Sequence, residues 1–164
     1  MPTILIAIIA FVLLILLFTR FFPGKQLEET SMQGGEESRF DEDMVTVVED
    51  PPHGESARYI RCRVSVTNQR IVISQLPLLS KKYSILIILY FADQEHPEKT
   101  GLEGRVKTGL LRRDAVEAKS DKSGDYLLLR PVGFGLFNRE ATEIQVRSKR
   151  VEELSTAIQG LGSR

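Results

Sequence analysis

The chain has no tryptophan, one cysteine and two histidines, and no charged side chain before Arg20. With Cys62 alone, no disulfide can close within the chain, and its place among alternating apolar residues predicts a small buried side chain rather than a reactive thiol. Cys62, His53 and His96 lie in separate segments, short of the roughly four clustered ligands of a zinc site, so no metal is expected. No Asn-x-Ser/Thr sequon occurs. Gly104-Arg-Val-Lys-Thr-Gly109 has the glycine spacing of a phosphate loop, but Leu110-Leu111 follows where Lys-Ser/Thr is needed. Gly133-Phe-Gly135 lacks the third glycine of a dinucleotide loop and reads as a turn or bulge. No Ser or Cys is placed to make His96 a general base. Neither catalysis nor a cofactor is expected from this composition.

What the chain does have is an uninterrupted apolar run. The eighteen residues 2–19, PTILIAIIAFVLLILLFT, carry no charge. A helix of about 20 such residues matches a hydrocarbon core of roughly 30 Å. The other reading, a cleaved secretory signal, wants a cationic start and a small-x-small exit, and neither is seen around Met1-Pro2-Thr3 or Thr19-Arg20-Phe21-Phe22. The expectation is a transmembrane anchor over residues 1–22, placing the protein in the cell membrane with a single span. Arg20 and Lys25 follow the run, which by the positive-inside bias puts the N-terminus outside and the C-terminal domain in the cytoplasm.

Residues 23–43 are acidic, poor in large apolar side chains and broken by Gly34-Gly35, which predicts a flexible acidic linker. Between residues 26 and 50 nine acids face Arg39 alone, whereas from residue 51 on nineteen Lys/Arg outnumber thirteen Asp/Glu. The neutral total therefore hides an acidic tether and a basic domain.

From residue 44 the apolar spacing becomes two, the period of a strand. Strands are predicted at 44–48, 58–67, 70–74, 83–91, 105–111 (an edge), 115–118, 126–132 and 142–147, making a mainly β domain over 44–164. In 58–67 the spacing directs Ile60, Cys62, Val64 and Val66 inward and Tyr59, Arg61, Arg63, Ser65 and Thr67 outward. Asn68-Gln69 reads as a hairpin connection. The run ILIILYF at 85–91 is too short for a membrane span and reads as a strand buried on both faces. Val151, Leu154, Ile158 and Leu161 then recur at helical spacing, predicting one closing amphipathic helix with Ser148 as its N-cap and Gly160 and Gly162 as stops.

Residues 64–74, VSVTNQRIVIS, carry a strand, a Thr67-Asn68-Gln69-Arg70 corner and a second strand. This resembles the "TN-x-R" hairpin of the pleckstrin-homology-like (PH-like) superfold, in particular its GRAM and bacterial PH branches. Residues 110–117 resemble the strand that follows in that family, 124–129 its next hairpin, and 142–161 its last strand and helix. The resemblance implies a partly open barrel or sandwich of about seven strands closed by a C-terminal α-helix, serving as a binding platform. Fold alone assigns no ligand.

The constellation with a functional option is cationic: Arg61, Arg63, Lys81, Lys82, Arg105, Lys107, Arg112 and Arg113. On one face these residues would bind anionic lipid headgroups or an acidic protein surface; scattered, they would be ordinary solvated charges. No interleaved aromatics accompany them, so nucleic acid is not an expected partner. The expected function is a membrane-anchored adaptor that recruits a protein or anionic lipid at the cytoplasmic membrane surface. The alternatives are a structural subunit of a larger membrane protein complex and an extracytoplasmic membrane-tethered domain.

Overall fold

The computed structural model of the protein describes residues 35–78, 80–94, 106–134 and 142–160. The expected anchor and most of the tether lie outside these residues. Among the described residues no helix is long and apolar enough to cross a membrane.

The domain is mainly β. Among the described residues eight strands form one sheet curled into a half-barrel, closed by one C-terminal helix: β1 (Ser38–Asp50), β2 (Ala57–Thr67), β3 (Arg70–Gln75), β4 (Ser84–Phe91), β5 (Lys107–Leu111), β6 (Val116–Asp121), β7 (Gly124–Leu129), β8 (Glu143–Arg147) and α1 (Val151–Gln159). The order across the sheet is β5-β4-β3-β2-β1-β8-β7-β6. Neighbours are antiparallel except β4 and β5, and β5 is an edge as its position in sequence suggested. A single bridge between Leu110 and Val132 draws that edge toward the segment after β7.

Alternation in the sequence becomes a one-sided core. Val45, Val47, Cys62, Val64, Val66, Ile71, Ile73, Leu127, Leu129, Ile144 and Val146 fill the concave side. Val151, Leu154 and Ile158 of α1 close over them. Burying one such side chain is worth about 1.5–3 kcal/mol before entropy is counted. β4 is covered on both faces, with Ile87, Leu89 and Phe91 in the main core and Ile85 and Ile88 in a second cluster with Val106. Gly109 in β5 permits the closest approach to that core, since a Cβ there would stand 3.1 Å from the Phe134 ring and 3.2 Å from Pro131. Cys62 is fully buried, and burial pushes its thiol up to about 11, well away from thiolate chemistry.

Several expectations need correction. The first strand starts at Ser38 rather than at residue 44, so 38–43, expected in the linker, are paired with β2. Ile60 is not inside: it is 53% exposed. A bulge explains the error, because Arg61 takes φ 58° and Met44 on the facing strand takes φ 62°, each marking an extra residue where the register shifts. An extra residue reverses the inward–outward count beyond it, so Tyr59 packs on the core and Ile60 faces out. Thr67 is buried rather than outward. Residues 110–117, which the family resemblance likened to one strand, span the end of β5, a turn and the start of β6, as the separate strands expected at 105–111 and 115–118 required. Ser148 is not the N-cap; that position is Arg150, and Ser148 holds the turn before it. Gly160 does end the helix, in the left-handed conformation with φ 71°. Leu161 and Gly162 lie outside the described residues.

Candidate functional site

The Thr67-Asn68-Gln69-Arg70 corner holds the point where the N-terminal segment joins the domain. Arg70 opens β3 with its guanidinium turned inward, and it meets Glu36 in a two-point ion pair, Nε to Oε1 at 2.7 Å and Nη2 to Oε2 at 2.8 Å. Both side chains are almost wholly buried, 3% and 1% exposed. The Thr67 hydroxyl donates to Glu36 Oε1 at 2.8 Å and accepts the Arg70 backbone N–H at 3.1 Å. Asn68 completes the grip, accepting the Glu37 N–H at 3.0 Å and donating to the Gly35 carbonyl at 3.2 Å. Four residues of hairpin thus fix residues 35–37 and start β1.

Of the eight cations singled out in sequence, the seven that lie among the described residues do not converge. Arg112 and Arg113 lie at the clamp end of the half-barrel. Arg112 pairs with Asp114 on the surface, and each holds the other's charged form. Arg113 is structural: its Nε donates to Asp93 at 2.9 Å, Nη1 to the Ile158 carbonyl at 2.6 Å and Nη2 to the Asn68 carbonyl at 2.8 Å. Its guanidinium also lies 3.7 Å from the centre of the Phe91 ring. Lys107 donates to Glu49 at 2.5 Å and to the Tyr59 hydroxyl at 3.2 Å. Burial opposes the charge on Lys107, but these two bonds outweigh it and hold the ammonium above its usual range. Arg105 lies outside the described residues.

Arg61, Arg63, Lys81 and Lys82 gather at the other end, on the convex side around Tyr83. Arg63 is taken by Asp41 at 2.5–3.1 Å and approaches Asp43 at 3.7 Å, which leaves it no net charge to offer. The Arg63 guanidinium lies 6.0 Å from the Tyr83 ring, and the charges of Arg63 and Arg61 both act on the Tyr83 hydroxyl. Lys81 and Lys82 are exposed in the turn between β3 and β4. Leu78 in the same turn is 82% exposed, and Met44 and Ile60 on the neighbouring bulges are 65% and 53% exposed. The apolar members of this patch were missed in sequence because two of them exist only through the bulges.

A different feature appears along β1. β8 pairs with β1 only from Thr46 to Asp50, because the chain turns after Arg147 to begin α1. Residues 38–43 therefore pair with β2 on one side and face α1 on the other. The Ser148 hydroxyl bonds to Glu42 and the Lys149 N–H reaches the same carboxylate, fixing that turn. Between the free half-edge and the helix runs a cleft of about 570 Å³, lined by Glu37, Ser38, Arg39, Glu152, Glu153, Thr156, Ala157 and Gly160. The far edge, β6, is differently treated: Glu117 pairs with Arg130 and Lys119, and Asp121 with Arg147, a charged rim that discourages strand addition.

The Asp121–Arg147 pair gives the fold an acid-sensitive tie. The Arg147 guanidinium, helped by the Ser123 N–H, holds the Asp121 carboxyl down to about 2. A depressed carboxyl stabilises the fold fully above its unfolded value near 4 and loses that contribution as pH falls through about 2. Melting temperature is accordingly expected to drop between pH 4 and pH 2, and to drop less steeply in Asp121→Asn; equal slopes in thermal melts would show that the pair contributes nothing.

Among the described residues no group of three His, Cys, Asp or Glu is arranged to hold a metal ion. No family model, curated protein or solved structure matches the chain.

Proposed function

We propose that the protein is a single-pass membrane-anchored adaptor whose PH-like β domain recruits a protein at the cytoplasmic surface of the bilayer. The observation that carries the reading is the pairing of an eighteen-residue uncharged run with a domain whose first residues are clamped by the Thr67–Arg70 corner. A tether from an anchor needs a firm attachment, and residues 35–37 supply one. The resemblance to the PH-like superfold is kept in this proposal, supported by a curled sheet with a single helix across its mouth.

Of the two expected ligands, anionic lipid is the weaker. Polybasic recruitment uses clusters of about 4–8 cations worth about 1 kcal/mol each. Here Arg63, Lys107, Arg112 and Arg113 are engaged by Asp41, Glu49, Asp114 and Asp93, which takes half of the eight cations out of any lipid-binding cluster. Two measurements test the reading. The full chain is expected to stay with membranes through carbonate washing, and release by carbonate would end the anchor proposal. A fragment of residues 24–164, which keeps the clamp, is expected to remain soluble beside phosphatidylserine vesicles at about 0.15 M salt, where surface charges act over only about 8 Å. Salt-sensitive flotation would instead make lipid the ligand.

A further inference from the structure

We infer that the cleft between the first half of β1 and α1 is a docking site for an extended segment of a partner protein carrying Lys or Arg, added as a strand to the free half-edge. The inference rests on the adaptor reading and names the surface that would do the recruiting. Three observations carry it.

The half-edge is open and rigid. Residues 38–43 are paired with β2, anchored at one end by the buried Glu36–Arg70 pair and at the other by the Ser148–Arg150 turn on Asp41 and Glu42, and no strand among the described residues lies along the outer side of 38–40. Backbone groups fixed in extended geometry with one side unpaired are a ready template for another strand.

The charge of the walls fits a cation. Among the described residues the carboxylates of Glu37 and Glu152 have no ion-pair partner, and Glu153 adds a third acid from the helix. Among the described lining residues Arg39 is basic, and its guanidinium stands 3.3 Å from where a Gly160 side chain would begin, at the C-terminal end of the helix, so the lining keeps an excess of acid.

The chain already shows the contact in miniature. Arg150 bonds Glu153 while its Nη1 reaches the outward carbonyl of Asp41 at 3.4 Å, so one guanidinium engages strand edge and helix acid together. A partner arginine or lysine further along would repeat this between residues 38–39 and Glu152. At about 570 Å³ the cleft is of the size that takes a short peptide segment.

The test uses the full chain in phosphatidylcholine nanodiscs, whose neutral lipid does not attract cationic peptides. The probe is a fluorescent, end-capped heptapeptide of alternating lysine and valine, followed by anisotropy. Saturable binding is expected, weakened about tenfold or more when alternate backbone nitrogens are methylated, and similarly weakened in the Glu37→Lys/Glu152→Lys variant. A glutamate–valine peptide is expected not to bind. Both substituted side chains are exposed and have no ion-pair partner among the described residues, so the variant should stay folded with only the small loss that a Lys in the first turn of α1 costs, which a thermal scan checks. Absence of binding, equal binding of the methylated peptide, or unchanged affinity in the variant each overturns the docking site. Carbonate extraction reports on the anchor separately, so a peptide that fails on a membrane-retained chain removes this site and leaves the adaptor reading standing.

Discussion

Arg70→Met is expected to lower the unfolding free energy by about 3–5 kcal/mol, because it removes the guanidinium that faces the Glu36 carboxylate in a site almost closed to water. A loss of that size is a large part of the 5–15 kcal/mol that holds a typical domain together. Glu36→Gln is expected to cost less, since the amide keeps an acceptor for the Thr67 hydroxyl while Arg70 loses its countercharge. The pair is already imperfect: Arg70 Nη1 is buried with no hydrogen-bond partner. Replacing both partners with apolar side chains, Glu36→Leu with Arg70→Met, should therefore recover most of the loss. Urea denaturation of the parent, Arg70→Met, Glu36→Leu and the double variant forms a closed cycle, and a cost below about 1 kcal/mol for Arg70→Met would mean the pair is hydrated and residues 35–37 are not clamped.

The same corner shows how much the sequence disclosed. Alternating apolar residues announced β2 and β8, short continuous apolar runs announced β3 and β4, and the three–four spacing of Val151, Leu154 and Ile158 announced α1. The Thr67–Arg70 turn stood out as a hairpin. Its grip on Glu36 did not, since Glu36 and Glu37 look alike in an acidic stretch and only the fold decides which one turns inward across 34 positions of chain. The start of β1 was missed for the same reason. Residues 38–43 are polar because they are paired on one edge and exposed on a face, a pattern that composition alone cannot separate from a linker.

The candidate site was less legible still. Cations can be counted in a sequence, but their engagement by Asp41, Glu49, Asp93 and Asp114 depends on neighbours brought together by pairing. The exposed patch of Met44, Ile60 and Leu78 was hidden by two bulges that reverse the inward–outward alternation. The open half of β1 exists because β8 is shorter than β1 and gives way to a helix, a difference in length that no single strand reveals.

Arg113→Ala is expected to destabilise the domain by about 2–4 kcal/mol, while Arg112→Ala stays within about 0.5 kcal/mol, although the two arginines are adjacent in sequence. Arg113 joins three elements at once. Its removal leaves the Ile158 and Asn68 carbonyls without a charged donor, frees the end of α1 from the β2–β3 corner, and uncovers the face of Phe91. A guanidinium at a helix C-terminus also opposes the negative end of the helix dipole, and stacking on an aromatic ring adds about 0.5–2 kcal/mol. Arg112, two-thirds exposed and paired only with Asp114, has nothing comparable to lose. Arg113→Lys separates shape from charge: an ammonium keeps the positive charge but cannot span Asp93, Ile158 and Asn68 from one plane, so most of the loss should remain. If Arg113→Ala instead melts like the parent and only partner or vesicle binding falls, the residue belongs to a binding surface after all. The expected order, Arg113→Ala below Arg113→Lys below Arg112→Ala in melting temperature, would mark Arg113 as the staple that seats α1 beside the half-edge, and so as a residue that shapes the cleft without lining it.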